Sequence, residues 1–187
     1  MTEAKSYHPF VRTPSTHIPL PPRPPQPTPI HSSSNARYLP VRDTTWTLPG
    51  FVGTSKITTS FGDLPIQAMR LRDPLRTPSG AIATVAWVNK VHLDEEFLRT
   101  HPDARPILIR AGSLGPNKPE QDLIVSPHQR IDASPVQFRQ EYCLARDLED
   151  RPGVLRQPVT VLTYYLFHCT MPVGVKVDGV WANVLPG

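Results

Sequence analysis

The amino-acid sequence predicts an all-β, or β-dominated, domain with one or two short helices, carried behind a proline-rich tail. Three observations support this. From about Trp46 onward, short runs rich in Val, Ile, Thr and aromatic residues recur between Gly and Pro. Only two stretches carry helical features. Before Trp46 the chain changes character and becomes rich in Pro and Ser, with few large apolar residues.

Taken in order, residues 1–48 form the tail. His17–Arg37 reads HIPLPPRPPQPTPIHSSSNAR. Proline fixes φ and donates no N–H, so this stretch favours an extended, solvated chain that cannot bury enough apolar surface to offset its ordering entropy. The tail is therefore expected to be disordered and removable. A PxxP ligand is weighed against this, but Arg23 follows Pro19-Leu20-Pro21-Pro22 one position too early for the usual register. The tail holds five basic and two acidic residues; the body holds 15 and 14. A near-neutral body with no recognisable binding motif argues against a nucleic-acid partner.

In the body, Ser55–Thr59, Leu64–Met69, Ala81–Val88, Pro106–Arg110, Gln121–Ser126, Thr160–His168 and Val173–Val177 read as strands. Leu108, Leu123 and Val125 are expected to share one core. Phe61-Gly62-Asp63, Ser79-Gly80 and Asp178-Gly179 supply the positive-φ positions of tight reversals, with Gly80 and Gly179 suited to hairpins. Asp94–Leu98 opens with acids suited to a helix N-terminus and must stop before His101-Pro102; Phe138–Leu148 has Phe138, Tyr142 and Ala145 at helical spacing. Trp87 and Trp181 are expected as core anchors. The strand spacing points to a sandwich or a closed, curled sheet.

Neither a signal peptide nor an apolar run of membrane-spanning length is visible, so the expectation is a cytoplasmic protein, or one exported without an N-terminal signal peptide, with no membrane partner. Cys143 and Cys169 read as semi-buried small apolar residues. On a strand His168 and Cys169 point to opposite faces and cannot both hold one metal ion, and the remaining histidines are dispersed. No metal site and no cofactor are expected. A protein partner stays open.

Four phrases stand in one order: GTSKITTSFGDLPIQAMRLRDPLRTPSG (Gly53–Gly80), VAWVNKVHL (Val85–Leu93), PILIRAGSLG (Pro106–Gly115) and DLIVSPHQRI (Asp122–Ile131). Together they resemble the bacterial Hint (hedgehog/intein) domain family over roughly Gly50 to Pro186. The resemblance implies a horseshoe of short curved strands over residues 49–187, following the 1–48 tail. It also implies a domain that cuts or splices its own backbone, through a Cys a few residues before the Gly-Thr and a His closing a Thr/Ser-x-x-His phrase.

Both positions depart from that pattern. The nucleophile's place falls on Pro49 or Gly50, and neither side chain can attack a carbonyl. Thr47, Thr54 and Ser55 are the nearby hydroxyls, out of register. The second phrase reads Ser126-Pro127-His128-Gln129. Gln129 can donate a hydrogen bond but cannot transfer a proton near neutral pH. His128, one residue early, is the candidate replacement, with Ser126 and Thr54 as further weak catalytic candidates. The favoured reading is a Hint-type domain inactive in self-processing and acting as a structural or interaction module. The alternative is self-cleavage within residues 48–55 using His128 as a displaced acid or base.

Overall fold

Residues 45–136 and 139–186 are described by the structure, a computed structural model. Residues 1–44, the bulk of the expected tail, lie outside the described residues. Phe51–Val52 (β1) and Lys56–Thr59 (β2) come first, and β2 turns back through Gly62–Pro65 (β3). Thr59 Oγ1 ties this reversal, donating to Gly62 O (2.7 Å) and accepting the Phe61 N–H (3.0 Å). The strand expected over Leu64–Met69 is not formed: β3 stops at Pro65 and Ile66–Ala68 is a 3-10 turn. Pro65 has no N–H to extend the ladder, and the Ile66 N–H bonds back to Ser55 O (2.9 Å).

Pro74–Arg76 (β4) and Ile82–Leu93 (β5) form a hairpin around Gly80, whose φ of 82° needs a residue without a Cβ penalty. The helix expected after Asp94 is Glu95–Thr100 (α1), with Asp94 Oδ1 capping the Phe97 N–H at 2.9 Å. A 3-10 turn at Pro102–Ala104 leads into Ile107–Ile109 (β6), Leu123–Val125 (β7), Arg130–Asp132 (β8) and Tyr142–Leu144 (β9). The helix expected over Phe138–Leu148 is absent. Tyr142–Leu144 pairs with β8, and only Ala145–Leu148 makes a 3-10 turn; Gln137 and Phe138 lie outside the described residues. Buried Asp132 accepts the N–H groups of Ser134 and Glu141 through Oδ1, which draws the returning chain into the ladder. Long-range pairing overrides the local helical spacing. Val154–Arg156 (β10), Leu162–Cys169 (β11), Val173–Val177 (β12) and Val180–Val184 (β13) complete the body.

All ladders are antiparallel, and the sheet runs β10-β6-β7-β1-β11-β5-β4-β2-β12-β13-β8-β9, with β3 on β2. The main core takes side chains from both ends of this order, including Ile109 and Val154 at one end and Ile131 and Val184 toward the other, so the sheet curls around it. Leu123 and Val125 belong to that core, but Leu108 does not. Ile107 and Ile109 take its place, because adjacent strand residues face opposite sides and the register pairs Ile107 with Val125 and Ile109 with Leu123. Leu108 is buried on the other face. Trp87 is 40% exposed and lies against His168 rather than anchoring a core, and Trp181 is half-buried.

A second core holds Trp46, Leu93, Leu98, Ala104, Leu162, Tyr164 and Leu166. It lies where α1, the Pro102–Ala104 turn and β11 meet, and it receives the chain leading into β1.

Candidate functional site

The lead-in segment Thr45–Gly50 is fixed from several directions. Trp46 is 7% exposed, stacked on Tyr164 with ring centroids 5.5 Å apart and edge-on to Phe97 at 6.1 Å. Its backbone N–H donates to Asp103 Oδ2 (2.7 Å) and its indole Nε1–H to Ser126 Oγ (3.0 Å). The pocket is itself braced, since Tyr164 Oη donates to Ala104 O (2.9 Å). Burial pushes the Tyr164 phenol well above its ordinary value, so it stays a donor.

Ser126 follows β7 and is fully buried. Its hydroxyl donates to Leu48 O (2.6 Å), and it accepts both the Trp46 indole N–H and the His128 backbone N–H (3.3 Å). Its own N–H donates to Gly50 O (2.8 Å). One proton and two lone pairs are therefore all engaged, with the proton on a carbonyl oxygen. No base touches this hydroxyl, which suits a staple rather than a nucleophile.

Pro49 is exposed and Gly50 buried, and neither offers an attacking atom. A Cβ added at Gly50 would meet Tyr164 Cβ at 3.2 Å and the Tyr165 carbonyl oxygen at 3.3 Å, so even an alanine crowds β11. Thr54 is an exposed turn residue, and Ser55 is buried. Thr47 is exposed.

His128 is half-buried, and its Nε2 lies 3.2 Å from Arg146 Nη1. Arginine only donates, so Nε2 is the acceptor and carries no proton. Burial and then the Arg146 charge lower the imidazole's pKa, partly offset by Asp103 and Asp147. Above about pH 6.5 the ring is therefore mostly neutral. Gln129 is buried and donates through Nε2 to Asn183 O (3.0 Å) and Arg130 O (3.3 Å), joining the segment after Ser126 to β13. The structure thus gathers Ser126 and the Trp46–Gly50 segment, places His128 on Arg146 and Gln129 on β13, and leaves Thr54 apart in its turn.

A family model described as "Hint domain" matches residues 49–185. The chain belongs to the Hint domain family. Solved structures similar to this Hint domain are inteins. A DnaB intein from Synechocystis sp. PCC 6803 is 8% identical, covering 74% of this chain and 100% of that chain with a TM-score of 0.49. A splice-inactive variant of the AceL NrdHF class 3 split intein is 15% identical, covering 74% and 99% at a TM-score of 0.46. The gp41-1 intein is 8% identical, covering 73% and 98% at 0.44. No curated protein matches the chain.

The sequence reading of this Hint domain missed Trp46 and Asp103. The signal available for Trp46 was a lone indole at the edge of a proline-rich segment, a residue seldom left without apolar company. Asp103 lies in the exposed-looking His-Pro-Asp turn and carried no signal. Cys143 and Cys169 are free, and burial raises the pKa of both thiols. Among the described residues no group of three or more His, Cys, Asp or Glu could hold a metal ion, and no helix is long and apolar enough to cross a membrane.

Proposed function

We propose that this Hint domain does not cut or splice its own backbone and instead serves as a folded interaction module. The observation that carries the reading is the use of Ser126. Its hydroxyl is spent holding Leu48 and Trp46, on the upstream side of the place where the family pattern puts a nucleophile, and that place holds Pro49 and Gly50. Acyl transfer needs an attacking side chain and a proton for the departing amide nitrogen. Residues 49 and 50 offer no attacking atom, and His128 presents an unprotonated Nε2 to Arg146. Holding the upstream chain in place, rather than releasing it, is the role these contacts support.

The test is the intact mass of freshly purified full-length protein, before and after incubation with dithiothreitol or hydroxylamine. A single full-length mass is expected throughout. A fragment pair split within Leu48–Ser55, absent in His128→Ala, would overturn the proposal and make His128 the proton donor.

A further inference from the structure

The strand β2 passes from one neighbour to another: β12 meets it at Ile57 and β4 at Thr59, and those two strands do not pair with each other. A groove opens between them. Lys176 and Trp181, partners in register, alternate with the core residues Val175 and Ala182 and so face out of the main core and into the groove. The β4–β5 hairpin and the turn between β11 and β12 wall it, and the cavity measures about 1040 Å³. A recess of about 440 Å³ continues it, sharing Thr77, Pro78, Ile82, Lys176 and Trp181 and adding Arg76.

Three features narrow what fits there. The first is apolar surface: Ile82 is 52% and Met171 69% exposed, with Pro78 and Trp181 beside them. The second is charge. Lys118, Lys176 and Arg76 line the cavity and its recess, and no Asp or Glu does. The carboxylates around it are engaged elsewhere: Asp132 by Lys118 (3.2 Å), Glu120 by Lys176 (3.2 Å), Asp63 by Thr58 Oγ1 (2.8 Å) and Asp178 by the Lys56 N–H (3.1 Å). Glu141 is exposed just before β9 and stays outside the lining. Of the three cations, Arg76 alone has no ion pair or side-chain hydrogen bond among the described residues. Its planar fork of donors matches a carboxylate, which accepts two parallel bonds. The third feature is built-in room. Gly174 does not occupy the left-handed region, yet a Cβ there would run into Tyr142 Oη and lie 2.9 Å from Pro78 Cγ. Glycine inside a strand marks such a close approach. Burial, and then Asp132, push the Tyr142 phenol up to about 12, so it stays neutral and brings no negative charge.

We propose that this groove binds a small carboxylic acid with an apolar body, its carboxylate on Arg76 and its hydrocarbon laid across Ile82 and Trp181 toward Met171. The groove shares no residue with the Trp46–Ser126 contacts and does not rest on the self-processing reading. The intact-mass experiment and the titration below therefore succeed or fail separately.

Full-length 15N-labelled protein would be titrated with octanoate, octan-1-ol and octylammonium, which share a chain and differ in the head group. Octanoate should shift the amides of residues 77–84 and 171–176 with a Kd of roughly millimolar order or better. Octylammonium should bind about tenfold more weakly, and Arg76→Gln should bring octanoate down to the affinity of octan-1-ol without changing the latter. Ile82→Ser should weaken octanoate and octan-1-ol by the same factor, about three- to tenfold. Gly174→Leu should abolish binding of all three, with the dispersion of its own spectrum reporting whether it folds. Arg76→Gln and Ile82→Ser change exposed side chains and decide the matter if it does not. Equal affinity for octanoate and octylammonium, an octanoate affinity unmoved by Arg76→Gln, or no shift at about tenfold the expected Kd would overturn the proposal. So would shifts spread over exposed apolar residues elsewhere, such as Phe61 and Leu71, instead of the groove.

Discussion

Replacing Trp46 with alanine tests whether the segment ahead of β1 is part of the folded body. The indole is 7% exposed and sits among Leu93, Leu98, Leu162 and Tyr164. A buried aromatic removes about 150–250 Å² from water, which at about 25 cal/mol per Å² gives roughly 4–6 kcal/mol as an upper bound. A compact unfolded chain lowers that by roughly 10–40%, leaving about 3–5 kcal/mol, the usual cost of emptying such a site. The substitution orphans no polar atom. The residue-46 N–H still reaches Asp103, and Ser126 keeps Leu48 O and the His128 N–H. Trp46→Phe keeps ring packing but loses the bond to Ser126, and should cost about 1–2 kcal/mol. Trp87→Ala is the matched control, because that ring is 40% exposed on the open part of β5, and its cost should stay within about 1 kcal/mol. Guanidinium unfolding of the full-length chain, followed by far-ultraviolet circular dichroism, gives all three values. A Trp46→Ala change within about 0.5 kcal/mol of the parent, or a Trp87→Ala cost equal to it, would refute the reasoning.

Ile109→Ala should cost about 2–5 kcal/mol and more than Leu108→Ala, since only Ile109 faces the main core; equal costs by chemical denaturation would contradict the register. The double variant Gly50→Cys with Gln129→His should still give one full-length mass under dithiothreitol, because a Cβ at 50 crowds Tyr164 and Tyr165 and the residue-129 side chain is directed to Asn183. Burial and Arg146 hold His128 below its ordinary pKa of about 6.5, so the unfolded chain binds its proton more readily. The stability it contributes should be complete above about pH 6.5 and drain away as pH falls through the folded value, and His128→Gln should flatten that slope in denaturation midpoints.

Much of the fold was legible because the strands carry their signals locally. The Gly80 and Asp178-Gly179 reversals, the Asp94 cap and the apolar runs at Ile107–Ile109 and Leu123–Val125 each needed only neighbouring residues. The failures share a physical cause. Phe138–Leu148 has Phe138, Tyr142 and Ala145 at helical spacing, but Asp132 accepts the Glu141 N–H and Tyr142–Leu144 pairs with β8 instead. Leu108 was placed on the wrong face because an unbroken apolar run does not reveal its phase. Trp87 was placed inside because a strand-like aromatic reads as core, yet which strands flank β5 among the described residues is a property of topology. At the site, the changes at Pro49, Gly50 and Gln129 were visible residue by residue. The contacts that hold the lead-in segment were not, since Trp46, Asp103 and Ser126 meet only when the sheet curls.

The three departures at the site act on one another. A self-processing centre needs its scissile carbonyl reachable, its nucleophile mobile enough to approach, and its acid protonated. Here Ser126 donates its only proton to Leu48 O, which orients that carbonyl toward β7 and fixes the chain just ahead of Pro49. With Leu48 and Gly50 both tied to Ser126, the backbone between them has little freedom, and Gly50 lies so close to β11 that no larger residue fits without movement. Gln129 uses its amide to join β13 to the turn that carries Ser126. The hold on the lead-in segment is made by Ser126, Trp46 and backbone atoms, and Gln129 fastens the adjoining turn to β13. On the proposed reading, restoring the thiol alone should not produce cleavage, because the clamp opposes the displacement that attack requires. This coupling supports a domain maintained for holding its upstream chain rather than for cutting it.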